Sequence, residues 1–83
     1  MKKHVKIYFN YFGYGEQDFI PCEICEFRSV DIHHIKYKSR GGQDVIGNLM
    51  ALCRKHHNDA HNEILKENEL REMHYKFLNN KTH

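Results

Sequence analysis

The sequence has 83 residues, of which 40% are hydrophobic, and a formal net charge of +2. A chain this short forms a single domain, here residues 1–83, and buries too little surface for an apolar core alone to give more than marginal stability. We therefore expect an additional cross-link. No apolar run approaches the roughly 20 residues needed to cross a bilayer, so we expect no membrane association.

Cysteine and histidine usage favours a metal over disulfides as the cross-link. The three cysteines would leave one thiol unpaired, and the start of the chain lacks the charged-then-apolar pattern of a secretory signal. We therefore expect reduced thiols and a soluble, cytoplasmic protein. The eight histidines supply the commonest metal ligand, which is also the usual proton carrier near neutral pH.

Positive charge is concentrated in the middle of the chain. Residues 28–57 carry six Lys/Arg against two Asp/Glu, whereas residues 1–27 carry three against four and residues 58–83 carry four against five. A basic segment is typical of a surface that approaches phosphates, although a solvated face gives the same pattern. The charge alone favours nucleic acid only slightly.

The N-terminal segment is predicted to be extended. Residues 5–14 are rich in β-branched and aromatic side chains, which indicates one or two strands turning at Gly13 and Gly15. Residues 1–21 would then cover the core.

The rest of the chain predicts a hairpin followed by helix. Residues 30–35 and 49–53 are short apolar runs typical of two paired strands, joined by a polar loop that contains glycines. From about residue 55 neither Pro nor Gly interrupts good helix formers, so residues 62–83 are expected to form a helical extension. One long helix and two shorter ones are both compatible with this stretch.

Two cysteine-containing motifs predict a structural zinc site. Cys22-x2-Cys25 and Cys53-x2-His56 together supply four N/S ligands, the number used by a closed tetrahedral zinc site. The alternative, three buried free cysteines and a surface histidine, does not account for the paired spacing. Since no coordination position is left open, this Zn²⁺ is expected to stabilise the fold and not to catalyse.

A second metal site is predicted from histidines alone. His57 and His61 lie four residues apart on the expected helix and therefore project from one face, while His56 is rotated by about 100° from His57. The strand residues His33 and His34 are the source of a third ligand. Because neighbouring strand residues point to opposite faces, only one of them should bind the ion.

An ordered set of motifs covers residues 22–61, about half of the chain. The set consists of Cys22-x2-Cys25, Asp31-Ile-His33-His34-Ile, Gly41-Gly42, Asn48-Leu-Met-Ala-Leu-Cys53 and Arg54-Lys-His56-His57-x3-His61. In residue types, order and spacing it resembles the HNH endonuclease family, in particular zinc-braced members from restriction and phage systems. The helical His57-x3-His61 pair is also similar to that of colicin-type nucleases.

The resemblance implies a fold. We expect a small α+β domain with a ββα-metal core, in which an antiparallel two-stranded hairpin and a helix surround one metal ion. The zinc knuckle, the N-terminal strands and the C-terminal helical extension would complete this domain.

The resemblance also implies roles for individual residues. His34 corresponds to the general base, and Asn48 to the middle residue of the family name, whose amide would hold that base by its other ring N–H. His57 corresponds to a metal ligand, His33 to an Asp or His ligand, and His61 to a ligand that only some members have. Phosphodiester hydrolysis needs these parts, because an imidazole can accept a proton from water near neutral pH and a metal is a Lewis acid for the phosphate.

The implied activity is metal-dependent cleavage or nicking of DNA, with one catalytic divalent ion. Three histidines suit Zn²⁺, Ni²⁺, Co²⁺ or Mn²⁺ better than Mg²⁺, which prefers oxygen ligands. Phosphate contacts to a DNA duplex are expected from the basic segment, namely from Lys36, Lys38, Arg40, Arg54 and Lys55. Sequence specificity should be low unless a protein partner or a dimer supplies it.

The alternative to a nuclease is a catalytically inactive, zinc-stapled nucleic-acid-binding module. Such a module would need the knuckle but not His34 or a second ligand set.

Asp31 is expected to be a solvent or turn residue, with metal ligation as the alternative. The remaining histidines, His4, His74 and His83, fit no spacing pattern and are expected on the surface.

Overall fold

The computed structural model describes the backbone of residues 1–81 and the side chains of residues 1–80. Its elements are helix α1 (Lys3–Phe12), strand β1 (Asp31–His34), strand β2 (Leu49–Leu52), helix α2 (Arg54–His61) and helix α3 (Glu67–Lys81). Short 3-10 turns at Lys38–Arg40 and Ile46–Asn48 interrupt the loop between the strands. The antiparallel hairpin, the helix that follows it and a Cys/His cluster confirm the expected ββα-metal arrangement.

The prediction of N-terminal strands is wrong, because this segment forms α1. Aromatic and β-branched composition suggested strand, but Val5, Tyr8, Phe9 and Phe12 recur at steps of three and four and so form one helical stripe. That stripe packs against the sheet. The helix ends at Gly13, whose φ of 74° is the left-handed conformation that glycine adopts without steric cost.

The two strands have helices on both faces. Ile32, Leu49 and Ala51 pack with α1 on one face, while Met50 and Leu52 pack with residues of α2 and α3 on the other. In the register of the hairpin, His33 lies opposite Met50 and His34 lies opposite Leu49. The adjacent histidines therefore belong to opposite faces, as the strand period predicted.

The helical C-terminal part is divided into two helices. α2 ends at His61, and the left-handed conformation of Glu63 (φ 62°) reverses the chain before α3 begins. The amides of Ile64 and Leu65 both donate to the Asp59 carbonyl and close this turn. Across residues 1–81, each helix is too short or too polar to cross a bilayer.

His74 is not the surface residue that we expected, because its side chain is completely buried. Its Nδ1 lies 2.6 Å from Glu23 Oε1, and its Nε2 donates to the Ile46 carbonyl at 2.6 Å. The other carboxylate oxygen of Glu23 accepts a 2.6 Å hydrogen bond from the Tyr8 hydroxyl. This buried network joins α1, the segment between Cys22 and Cys25, the loop before β2, and α3.

The other two histidines without a spacing pattern differ in position. His4 is half-buried on α1, and its ring lies 4.5 Å from that of His34. His83 lies outside the described residues.

Candidate functional site

The structure brings the four predicted zinc ligands together. Among the described residues, Cys22, Cys25, Cys53 and His56 form the group whose ligand atoms all lie within 4.8 Å of one another. The Cys25 and Cys53 sulfurs are 3.6 Å apart, and His56 Nδ1 lies 3.2 Å from the Cys53 sulfur and 3.7 Å from the Cys22 sulfur. Tetrahedral zinc with ordinary bond lengths gives S···S edges of about 3.8 Å and S···N edges of about 3.5 Å. The donor set and its spacing therefore fit Zn²⁺.

Local backbone geometry shapes both halves of this knuckle. The amide of Cys22 donates to the Phe27 carbonyl at 2.6 Å, the amide of Ile24 approaches the Cys22 sulfur at 3.4 Å, and Glu26 adopts a left-handed φ of 68° that turns the chain. On the other half, Cys53 directly precedes α2.

The surroundings of the Cys53 thiol favour the thiolate form, which binds metal. Burial would raise its pKa, but the backbone amide of His56 and neighbouring side chains outweigh burial and lower the pKa to about 7. A thiolate at the start of a helix is the form that binds metal.

A second group of polar side chains lies on the α2 face of β1. His57 Nε2 is 3.2 Å from Asp31 Oδ2, and the rings of His57 and His33 meet edge to face with centroids 5.5 Å apart. Burial, reinforced by the neighbouring His57 ring, lowers the pKa of His33 to about 4. The neutral imidazole that results retains the lone pair required of a metal ligand.

His34 has a different partner on the opposite face of the strand. Its Nε2 lies 2.7 Å from Asp44 Oδ1, and the other oxygen of that carboxylate is 3.4 Å from Lys38 Nζ. The hydrogen bond with His34, and then the Lys38 cation, hold the pKa of Asp44 below its ordinary value. Because an ionised carboxylate only accepts hydrogen bonds, Nε2 of His34 carries a proton, and in the neutral imidazole Nδ1 is then the nitrogen with the lone pair.

The expected contact between Asn48 and the ring of His34 is not made. The Asn48 amide instead accepts from the Lys36 amide at 2.8 Å and donates to the carbonyls of Lys36 and Gln43 at 3.1 and 3.0 Å. Asn48 is buried, and all three of these side-chain hydrogen bonds go to the backbone of the loop between the strands. That loop carries Asp44, and Asn48 therefore acts on His34 only through the loop.

The loop between the strands also requires glycine at position 42. An ideal Cβ at this position would lie 1.8 Å from the Lys36 carbonyl oxygen, so a larger residue cannot fit without movement of the backbone. The Gly42 amide donates to the Tyr37 carbonyl at 2.9 Å.

An open cleft joins the two histidine faces at the edge of β1. The cleft has a volume of about 550 Å³, and its lining includes Asp31, His33, His34, Lys38 and Asp44. His61 is exposed and lines a separate cavity of about 190 Å³ on α2, together with Tyr37 and Arg40. Of the predicted second site, His33 and His34 line the cleft, His57 contacts its lining residue Asp31, and His61 lies to one side of it.

The sequence model of the HNH endonuclease family matches residues 22–63, which is half of the chain and contains both histidine groups and the knuckle. The chain belongs to the HNH endonuclease family. Searches of curated proteins and of solved structures gave no match. Family membership indicates nuclease-type activity on a nucleic acid and a requirement for metal.

The basic residues predicted to contact DNA are exposed in this HNH domain but differ in their surroundings. Lys38 lines the cleft, whereas Lys55 pairs with Asp59 at 3.1 Å on the surface of α2. Arg40 borders the smaller cavity beside His61. The other two, Lys36 and Arg54, lie on the surface with no carboxylate partner among residues 1–80.

Sequence reasoning about the HNH motif missed Asp44. A signal for it was present, because Asp31 and Asp44 are the two acidic residues of the otherwise basic segment 28–57. In the structure each of them contacts a histidine of the site, His57 and His34 respectively. The position of Asp31 and Asp44 as isolated acidic residues in a basic segment was thus the signal that could have identified them as partners of the histidines.

Proposed function

We propose that this HNH chain is a metal-dependent DNA endonuclease or nickase that hydrolyses phosphodiester bonds. One observation supports this proposal above all others. The adjacent residues His33 and His34 line the same cleft, yet His33 faces His57 and Asp31 while His34 is held by Asp44. One strand thus presents a candidate metal ligand and a candidate base to the same space.

His34 is the proposed general base. Its Nε2–H is directed at the Asp44 carboxylate, which leaves Nδ1 to accept a proton from the attacking water. Asp44 then stabilises the imidazolium that forms, because a carboxylate 2.7 Å away offsets the new positive charge. Lys38, which also lines the cleft, is placed to bind a phosphate oxygen.

The ligands proposed for the catalytic ion are His33, His57 and His61. When bound, the ion supplies Lewis-acid chemistry at the phosphate and at the departing oxygen. Asp31 is the alternative third ligand, because its carboxylate already lies 3.2 Å from His57 and lines the cleft. A site of two imidazoles and one carboxylate accepts Mn²⁺ and Mg²⁺ more readily than a site of three imidazoles, which favours Zn²⁺, Ni²⁺ or Co²⁺.

Plasmid cleavage tests the proposal directly. The wild type and His34→Ala are purified identically and incubated with supercoiled plasmid and each divalent ion in turn. We expect nicked or linear product from the wild type only, and loss of activity with a chelator. An active His34→Ala, or a well-folded wild type that cuts with none of the ions, would contradict the proposal, and the second result favours the inactive binding module.

The third ligand is assigned by comparing two variants. Asp31→Ala and His61→Ala are titrated with Mn²⁺ and Co²⁺ after the tightly held zinc has been counted. The variant that loses more affinity for the exchangeable ion identifies the third ligand. If both variants bound this ion as tightly as the wild type, neither Asp31 nor His61 would be a ligand.

A further inference from the structure

A second basic segment lines the active-site cleft, from outside the family motif. Lys2, Lys3 and His4 belong to the start of α1 and its preceding residue, and they border the same space as His33 and His34. The sequence model of the family matches residues 22–63, so it assigns no role to these three. They also lie outside the basic middle segment of the sequence.

Packing fixes this segment relative to the candidate base. The rings of His4 and His34 lie 4.5 Å apart with an interplanar angle of 46°. One and two turns further on, Tyr8 is 1% exposed and Phe12 packs against the core beneath the sheet. The placement of Lys2 and Lys3 beside the cleft is therefore set by a packed helix.

The two lysines carry uncompensated charge in this cleft. Among residues 1–80, neither Lys2 nor Lys3 has a carboxylate within ion-pair distance. The acidic groups of the cleft have other partners, because Asp44 contacts His34 and Lys38 while Asp31 contacts His57. Two free cations beside a candidate phosphodiesterase centre suit an external polyanion better than an internal ion pair.

We propose that Lys2 and Lys3 bind the phosphate backbone of duplex DNA beside the phosphodiester on which His34 acts. This inference rests on the proposed nuclease function and extends its binding surface to α1. The contacts would hold the duplex in place without reading bases, since lysine contacts to phosphates carry no sequence information. Together with Lys38, they would place positive charge on two chain segments that border the cleft.

The test compares two double variants that remove the same charge. Lys2→Ala/Lys3→Ala alters the cleft, whereas Lys6→Ala/Lys76→Ala removes two exposed lysines that do not line it. Both are made on a His34→Ala background so that the DNA stays intact. Binding of a short fluorescent duplex is followed by anisotropy over a series of salt concentrations.

The slope of log K against log salt is the deciding quantity. Each phosphate contact contributes about 0.9 to this slope, so the cleft variant should be shallower than the parent by about 1.8 and weaker at low salt. The control variant should keep the parental slope. Equal slopes for the two double variants would overturn the inference, as would tighter binding of an RNA duplex of the same length.

The outcomes separate this inference from the proposed function. If the protein with His34 intact cuts no DNA but the two slopes differ as expected, catalysis is refuted and the lysine contacts stand. If it cuts DNA while the two double variants give equal slopes, the proposed nuclease activity is supported and the lysine contacts are refuted.

Discussion

Asp44 Oδ1 lies 2.7 Å from His34 Nε2, although ten residues and a glycine-containing loop separate them in the chain. The loop is held by the buried amide of Asn48, which bonds both the amide and the carbonyl of Lys36. Asn48 and His34, the proposed base, are therefore coupled through the loop and the carboxylate that it carries.

Asp44→Asn is expected to lower kcat for plasmid cleavage by about 10- to 100-fold, the range typical of a partner that orients a functional histidine. The amide keeps the shape of the side chain but not its charge, so the imidazolium formed during the reaction loses its counter-ion. KM and the free energy of unfolding should change little. Steady-state kinetics with a short duplex and urea unfolding measure the three quantities.

Asp59→Asn is the matched control for Asp44→Asn. Asp59 pairs with the exposed Lys55 on α2 and does not line the cleft, so its substitution should leave kcat unchanged. The positioning role of Asp44 would be wrong if Asp44→Asn left kcat unchanged. It would also be wrong if the variant lost enough unfolding free energy for the fall in kcat to reflect unfolded protein.

Gly42→Ala is expected to lower both stability and cleavage. The new Cβ would meet the Lys36 carbonyl oxygen at 1.8 Å, and because Asn48 holds that carbonyl the backbone has to shift. Overpacking of this kind costs about 1–3 kcal/mol of unfolding free energy, and the displaced loop would move Asp44 away from His34. Urea unfolding and plasmid cleavage are measured on the same sample.

Gly47→Ala provides the comparison for Gly42→Ala. Gly47 lies in the same loop, but a Cβ there meets nothing within 4 Å and its φ is not in the left-handed region. This variant should be as active as the wild type and between unchanged and about 1 kcal/mol more stable. Similar behaviour of the two alanine variants would show that the close approach at Gly42 is unimportant.

The parts of the site that depend on short sequence spacing were predictable. His56 and His57 are neighbours on α2, so the 3.6-residue period alone predicts that they face different ways. The alternation of His33 and His34 followed from the strand period in the same way. These local rules operate over a few residues and do not need the tertiary structure.

The parts that depend on long-range packing were not predictable from spacing. Residues 5–12 have the composition of a strand, but the sheet of this small domain needs a cover on its second face, and a helix with an apolar stripe provides it. Asp44 reaches His34 through a loop, and His74 reaches Glu23 across 51 residues. Neither contact is indicated by a helix or strand period in the sequence.

His74→Ala is expected to lower the free energy of unfolding by about 3–5 kcal/mol, because it removes the ion-pair partner of the buried Glu23 carboxyl and leaves that group only the hydrogen bond from Tyr8. Tyr75→Ala, at a half-exposed neighbouring position on α3, should cost no more than about 0.5 kcal/mol. The double variant Glu23→Ala/His74→Ala should lose clearly less than the sum of the two single variants. Additive losses in urea unfolding would contradict the direct coupling of Glu23 and His74.

Removal of the knuckle zinc should disrupt both metal sites. His56 lies with the knuckle cysteines and the next residue, His57, contacts Asp31, so loss of the zinc should free the start of α2 and displace His57 as well. Cys25→Ser should therefore lose helical circular dichroism, tightly bound zinc and the exchangeable ion together.

His57→Ala should behave differently from Cys25→Ser. It should keep about one zinc per chain and the helical signal while losing the exchangeable ion and cleavage, because the knuckle does not depend on His57. Metal analysis, circular dichroism and cleavage are compared across the wild type and both variants. A Cys25→Ser protein that retains wild-type affinity for the exchangeable ion would show that the knuckle does not position His57.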